Sequence, residues 1–219
     1  MHNVHEPLAD LAVALPAASR IFQELALDYC CHGRRPLREA CDARGLDPAA
    51  VLARVLAEPA PADAVDRTTQ PLGALLDHLI ARYHEDHRRE VPQLIALAEK
   101  VERVHADKAS CPRGLHAHLV GFHAAMVAHL EKEEQVLFPA IRAGLGGGCH
   151  APIARMEDEH VEHGAALART RALAHDLVPP VEACATWRAL YLRLAALERD
   201  LMEHIHLENN VLFPRVLAA

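Results

Sequence analysis

Aromatic residues are scarce in this chain: one Trp, three Tyr and four Phe in 219 residues. Strands draw on aromatic and β-branched side chains, and no stretch alternates apolar and polar residues, so a sheet protein is not expected. There is no apolar run of about 18 residues or more, so no membrane span is expected. The N-terminus, MHNVHE, lacks the basic-then-apolar layout of a secretory signal. A basic surface is also missing: the formal net charge is −7, which argues against a nucleic-acid partner. The six cysteines include no C-x-x-C pair, which argues against a zinc ribbon, and the chain is too large to need a disulfide framework. These absences together lead to the expectation of a cytoplasmic protein.

About half of the residues are hydrophobic, mostly Ala, Leu and Val, and this favours helices. The first 65 residues read as a small helical module. Helical patterns cover 8–15, a segment from Pro16 that stops at the DYCCHG stretch 28–33, a helix opened by Pro36 that ends near Gly45, and one capped by Asp47-Pro48. Gly33 is expected to be a helix C-terminal signal. Pro59-Ala-Pro-Ala-Asp63 has the composition of a linker. Residues 66–219 then carry four long helical patterns: from about 70 to 104, 112 to 142, 151 to 176 and 181 to 217. Pro92 is expected to kink or break the first. Short connections between them predict an up-down-up-down four-helix bundle.

The most abundant chemical signal is histidine, with 17 residues. Two stretches share a layout: HLEKEEQVLFP from His129 and HIHLENNVLFP from His204. Every matched position is 75 residues apart. Each copy sets a histidine four residues before a glutamate, which places imidazole and carboxylate one turn apart on one helix face. A second echo pairs HEDH from His84 with HVEH from His160, offset by 76. The pooled set is His84, His129, Glu133, His160, His204 and Glu208: four nitrogens and two carboxylates. The repeat selects Glu133 over Glu134, because Glu134 maps to Asn209. It likewise leaves Glu131, Glu134 and His206 on the outer face. Spacing alone does not choose between His84 and His87, or between His160 and His163; one histidine per helix follows if both glutamates bridge. His87 and His163 then serve as outer partners or as extra ligands. Glu159 and Glu162, which flank His160, read as residues that solvate the helix, the alternative being that they line an exit route for the metal. Mixed imidazole and carboxylate donors without thiolate suit iron, manganese or zinc. Two carboxylates can bridge a pair of ions, each capped by two imidazoles. Leu137, Phe138, Leu212 and Phe213 read as core.

These residues resemble the hemerythrin-like di-iron bundle. The DYCCHG stretch at 28–33, followed by Leu37 and Ala40-Cys41, is similar to the small domain that precedes the bundle in the iron–sulfur cluster repair di-iron proteins, the RIC family. His105-Ala-Asp, ACATW at 183–187 and LENNVLFP at 207–214 add to the match. The resemblance implies two iron ions per chain, bridged by carboxylates and by an oxo or hydroxo group, on the six residues already chosen. It implies repair of iron–sulfur clusters damaged by oxidative or nitrosative stress, by donation of iron. The alternative is binding of nitric oxide, or its reduction to N₂O. Expected partners are damaged iron–sulfur proteins and the small ligands NO or O₂, with the protein a monomer or homodimer. The sequence departs from the family at His32, where a small residue is expected. Cys30 and Cys31 have three open readings: holding an iron in transfer, contacting a partner's cluster, or acting locally as reduced thiols.

Overall fold

The computed structural model describes residues 2–59 and 65–218. The linker composition at 59–63 falls largely on residues 60–63, outside the described residues. Among the described residues there is no strand, only an isolated bridge between Pro7 and Pro36, and the fold is all-α. No described helix is long and apolar enough to cross a membrane.

The chain divides into two compact units, one of Met1–Leu75 with Met202–Ala219 and one of Leu76–Leu201. The first holds four short helices: α1 Leu8–Ala14, α2 Ala18–Glu24, α3 Leu37–Asp42 and α4 Pro48–Ala57. Asp47 caps α4 by accepting the Ala49 N–H at 2.9 Å, with Pro48 at the first helical position; such a cap stabilises a helix by about 1 kcal/mol. Their apolar faces meet around Leu11, Ile21, Phe22, Tyr29 and Leu37, all essentially buried. Helix α2 stops at Glu24, earlier than expected, because Ala26 turns the chain with φ 52°. Gly33 is not a left-handed helix stop. A Cβ there would lie 2.3 Å from the Tyr29 carbonyl oxygen and 2.8 Å from the Ala9 Cβ. The glycine is required by close approach of two backbone segments.

Four long helices follow. Helix α5 runs through Leu72–Leu79, a π turn Ile80–His84 and Glu85–Val104. Helix α6 runs through Leu115–Lys132, a π turn Glu133–Leu137 and Phe138–Arg142. Helix α7 is His150–Leu173. Helix α8 runs through Ala185–Leu207, a π turn Glu208–Leu212 and Phe213–Leu217. Pro92 does not break α5, which continues through it to Val104. Pro92 sits on the exposed face of the helix, where its ring displaces no packed neighbour. Helix α7 ends before Asp176, because His175, Asp176 and Leu177 all take positive φ.

Within Leu76–Leu201 the four helices are tied by pairs that run between them. Arg171 meets Glu198 with two bonds of 2.6 Å, Arg193 meets Glu90 at 2.6 Å, and Arg82 meets Asp200 at 3.1 Å. Trp187 and Tyr191 pack edge to face inside, both buried.

Candidate metal centre

Each duplicated stretch is built the same way. The glutamate opens a π turn, and the turn closes on the residue before proline. The Phe138 N–H reaches the Glu133 carbonyl, and the Phe213 N–H reaches that of Glu208. Pro139 and Pro214 follow immediately as residues with no N–H to give. A third π turn ends at His84. Single π turns inserted in α-helices occur preferentially where side chains are re-aimed for function. Three of the six candidate donors stand at the edge of one.

In the Leu76–Leu201 unit, Glu133 is fully buried. Its Oε2 faces the Nε2 of His84 at 3.6 Å and the Nε2 of His129 at 3.5 Å. His160, also fully buried, sets its Nε2 3.1 Å from the Nε2 of His129. His129, Glu133 and His160 thus offer ligand atoms within 4.8 Å of one another. In the other unit, the Nε2 of His204 lies 3.1 Å from Oε1 of Glu208, with both side chains buried. The i, i+4 spacing therefore brings imidazole and carboxylate together in both copies.

Two carboxylates outside the chosen set orient the histidines. Glu134 takes the Nδ1 side of His84 at 2.7 Å and is itself held by Arg88 at 2.7 Å. Glu159 takes the Nδ1 side of His129 at 2.9 Å, and also Lys132 at 2.5 Å and Arg155 at 2.7 Å. A proton on each Nδ1 leaves the lone pair on Nε2, directed inward. Burial works to raise the pKa of Glu134, but Arg88 and His84 hold it below the usual carboxylate range. Burial also opposes ionisation of Glu159, yet Lys132 and His129 bring it down to about 2. Neither residue matches its expected place. Glu134 is not an outer-face residue but is half-buried against His84. Glu159 is buried and does not solvate its helix, whereas Glu162 is exposed. The repeat hid both, because their counterparts at the matching offsets are Asn209 and Tyr83.

Other expectations fall into place around this frame. Phe138 is core, and it stacks on His84 with ring centroids 5.5 Å apart. His163 is buried with its ring edge to face on His129, 4.8 Å between centroids. His87 is buried beside Tyr83. His206 is not on the outer face: it is buried, packs edge to face on Tyr29 and accepts from Asn210 at 2.9 Å.

Cys30 and Cys31 lie in the first unit with sulfurs 3.5 Å apart, beyond bonding distance. Asp28 Oδ1 accepts the Cys31 N–H at 2.9 Å, the Cys30 N–H at 3.2 Å and the Cys30 thiol at 3.4 Å. The hydrogen bond with Cys31, together with burial, pushes the Cys30 thiol up.

The donor set fits a metal. The Nε2 atoms of His84 and His129 face a carboxylate that has no access to water. A cation is a group that imidazole and carboxylate donors gathered in a buried site can hold. Nitrogen and oxygen donors without thiolate suit a first-row metal of the iron class.

Residues 75–216 match the family described as "Hemerythrin HHE cation binding domain", and residues 4–58 match ScdA_N, a domain of unknown function. The chain is 47% identical to the iron-sulfur cluster repair protein YtfE of Enterobacter sp. (strain 638), covering 97% of each. It is 46% identical to the protein of that name from Musicola paradisiaca, over 99% of this chain and 98% of the relative. The YtfE protein of Citrobacter koseri is 45% identical, over 97% of each. The chain belongs to the hemerythrin-like iron–sulfur cluster repair family, in which an ScdA_N domain precedes an HHE bundle.

Proposed function

We propose that this chain repairs damaged iron–sulfur clusters by donating iron from a di-iron centre. The centre would be held by His84, His129, His160 and His204, with Glu133 and Glu208 as bridging carboxylates and an oxo or hydroxo bridge. The observation that carries this reading is Glu133: a fully buried carboxylate oxygen met by two imidazole Nε2 atoms at 3.6 and 3.5 Å. The duplication supports giving Glu208 and His204 matching roles. The names of the relatives support cluster repair as the activity. The clients are damaged iron–sulfur proteins of the cytoplasm, where the six cysteines, none in a disulfide, stay reduced.

Iron is the species the site supplies when loaded. The chain's own part is to orient imidazoles through Glu134 and Glu159, and to keep water from Glu133. The test is metal analysis with an optical spectrum on wild type, His129→Ala and Glu208→Ala. Two irons per wild-type chain and a loss in both variants support the site; unchanged metal content overturns it. Loaded protein is then mixed with a cluster dehydratase inactivated by oxidation. Recovery of dehydratase activity supports repair, and no recovery overturns it.

A further inference from the structure

The bundle donors leave one chemically distinct cluster unused. Asp28, Cys30 and Cys31 bring a carboxylate oxygen and two sulfurs within 4.8 Å of one another. His32 holds the second oxygen of Asp28, with Nδ1 2.6 Å from Oδ2. We propose that Asp28, Cys30 and Cys31 form a second metal site, a thiolate station for a divalent first-row ion such as Fe(II).

Three features argue for it. The donors are complementary to those of the bundle: two sulfurs and one oxygen, the mixture that suits iron or zinc in tetrahedral geometry. Three protein donors leave a fourth position open, which is what an exchanging site needs and a closed structural site lacks. The pairing of His32 with Asp28 repeats the device seen at His129 and Glu159, in which an outer group fixes a ligand's orientation. Here the carboxylate is the ligand and the imidazole is the orienting group.

The surroundings suit exchange with a partner. Cys30 is buried, Cys31 half-buried and His32 exposed, so one side of the cluster reaches solvent. A cavity of about 260 Å³ opens beside Asp28 and His32, lined also by Arg35 and Arg44. On the inner side, Asn209 donates to the Cys30 carbonyl at 3.0 Å and Asn210 to the Tyr29 carbonyl at 3.2 Å. Asn209 is the residue next to Glu208, so the thiol loop is fastened to the stretch that carries one proposed bridging carboxylate. Binding a divalent ion releases the two thiol protons to solvent. Two thiolates and one carboxylate then leave the loaded site with one negative charge.

The choice of iron as the ion rests on the proposed function of the bundle, but the existence of the thiolate site does not. Reduced, metal-free full-length protein is titrated with Co(II) without oxygen, and thiolate-to-cobalt charge transfer is followed in the near ultraviolet. Wild type should bind one cobalt more than Cys30→Ser or Cys31→Ser, and that cobalt should carry the charge-transfer band. Asp28→Asn, which keeps an acceptor for the loop amides, should weaken this cobalt about tenfold or more. Cys184, whose thiol lies 3.2 Å from His105 Nε2, is common to all variants and cancels in the difference. Should Cys30→Ser fail to fold, the half-buried Cys31→Ser gives the same comparison. Equal spectra for wild type and both serine variants, or undiminished affinity in Asp28→Asn, would overturn the site. Glu208→Ala separates the two readings. It should lose bundle metal and keep the thiolate band, whereas loss of the band in this variant would overturn an independent site.

Discussion

Glu159 accepts a hydrogen bond from Nδ1 of His129 at 2.9 Å, from a helix that carries no π turn. The bond fixes which nitrogen of His129 is free, and Lys132 and Arg155 keep the carboxylate ionised. Glu159→Gln keeps the shape and removes the charge. Outer partners of this kind typically contribute about 10–100-fold in metal affinity. Iron should therefore leave Glu159→Gln at least about tenfold faster when challenged with a ferrous chelator. An unchanged release rate would show that His129 is oriented without it.

Glu134 makes the corresponding prediction for His84. Glu134→Gln breaks the charge-assisted contact at 2.7 Å and frees Arg88. Iron stoichiometry should fall, or release should quicken by a similar factor. Glu131 is exposed and lies on the same turn of sequence, so Glu131→Gln serves as the control with no effect. Equal behaviour of the two variants would remove Glu134 from the site.

The contrast between the donors and their outer partners explains how much the sequence reveals. His129 with Glu133 and His204 with Glu208 are readable because helix periodicity converts a four-residue spacing into proximity, and duplication repeats the signal. Glu134 and Glu159 are not readable this way. They serve one copy only, and their partners arise from packing between helices rather than from local spacing. The helices themselves are legible, since apolar periodicity is local. Their interruptions are less so: apolar periodicity does not mark the π turns at Glu133 and Glu208, while Pro92, a strong local breaker, is tolerated on an exposed face. Gly33 carried the right residue type for a helix stop, but its reason is the Tyr29 carbonyl.

His206 supplies a pH prediction. Burial pushes its pKa down from 6.5 to about 4. Between those values the unfolded chain takes up a proton that the folded chain refuses. Stability should therefore fall as pH drops from about 6.5 to about 4, and this contribution should level off below. The shift sets an upper bound of about 3 kcal/mol. Melting temperatures of metal-free wild type and His206→Gln, measured between pH 7 and 4, should diverge in that sense: the variant loses less on acidification. Parallel curves would mean that the buried imidazole does not govern this range.

Gly33 gives the sharpest test of the thiol loop's construction. A methyl group there would collide with the Tyr29 carbonyl oxygen, and that oxygen is not at liberty to move, because Asn210 donates to it at 3.2 Å. The Ala9 side chain closes the other direction, and the Ala9 N–H is bonded to the Gly33 carbonyl at 2.8 Å. Gly33→Ala must shift backbone, at a cost of about 1–3 kcal/mol. The shift falls on the loop that holds Cys30, which is now only 5% exposed. Alkylation of Cys30 by iodoacetamide proceeds through local opening, so destabilising that opening's closed state by this amount should speed it about fivefold or more. Gly147→Ala, where an added Cβ meets nothing within 4 Å, should leave the rate unchanged. If Gly33→Ala alkylates at the wild-type rate with an unaltered melting temperature, the two backbone segments do not approach as described, and the loop is held by other means.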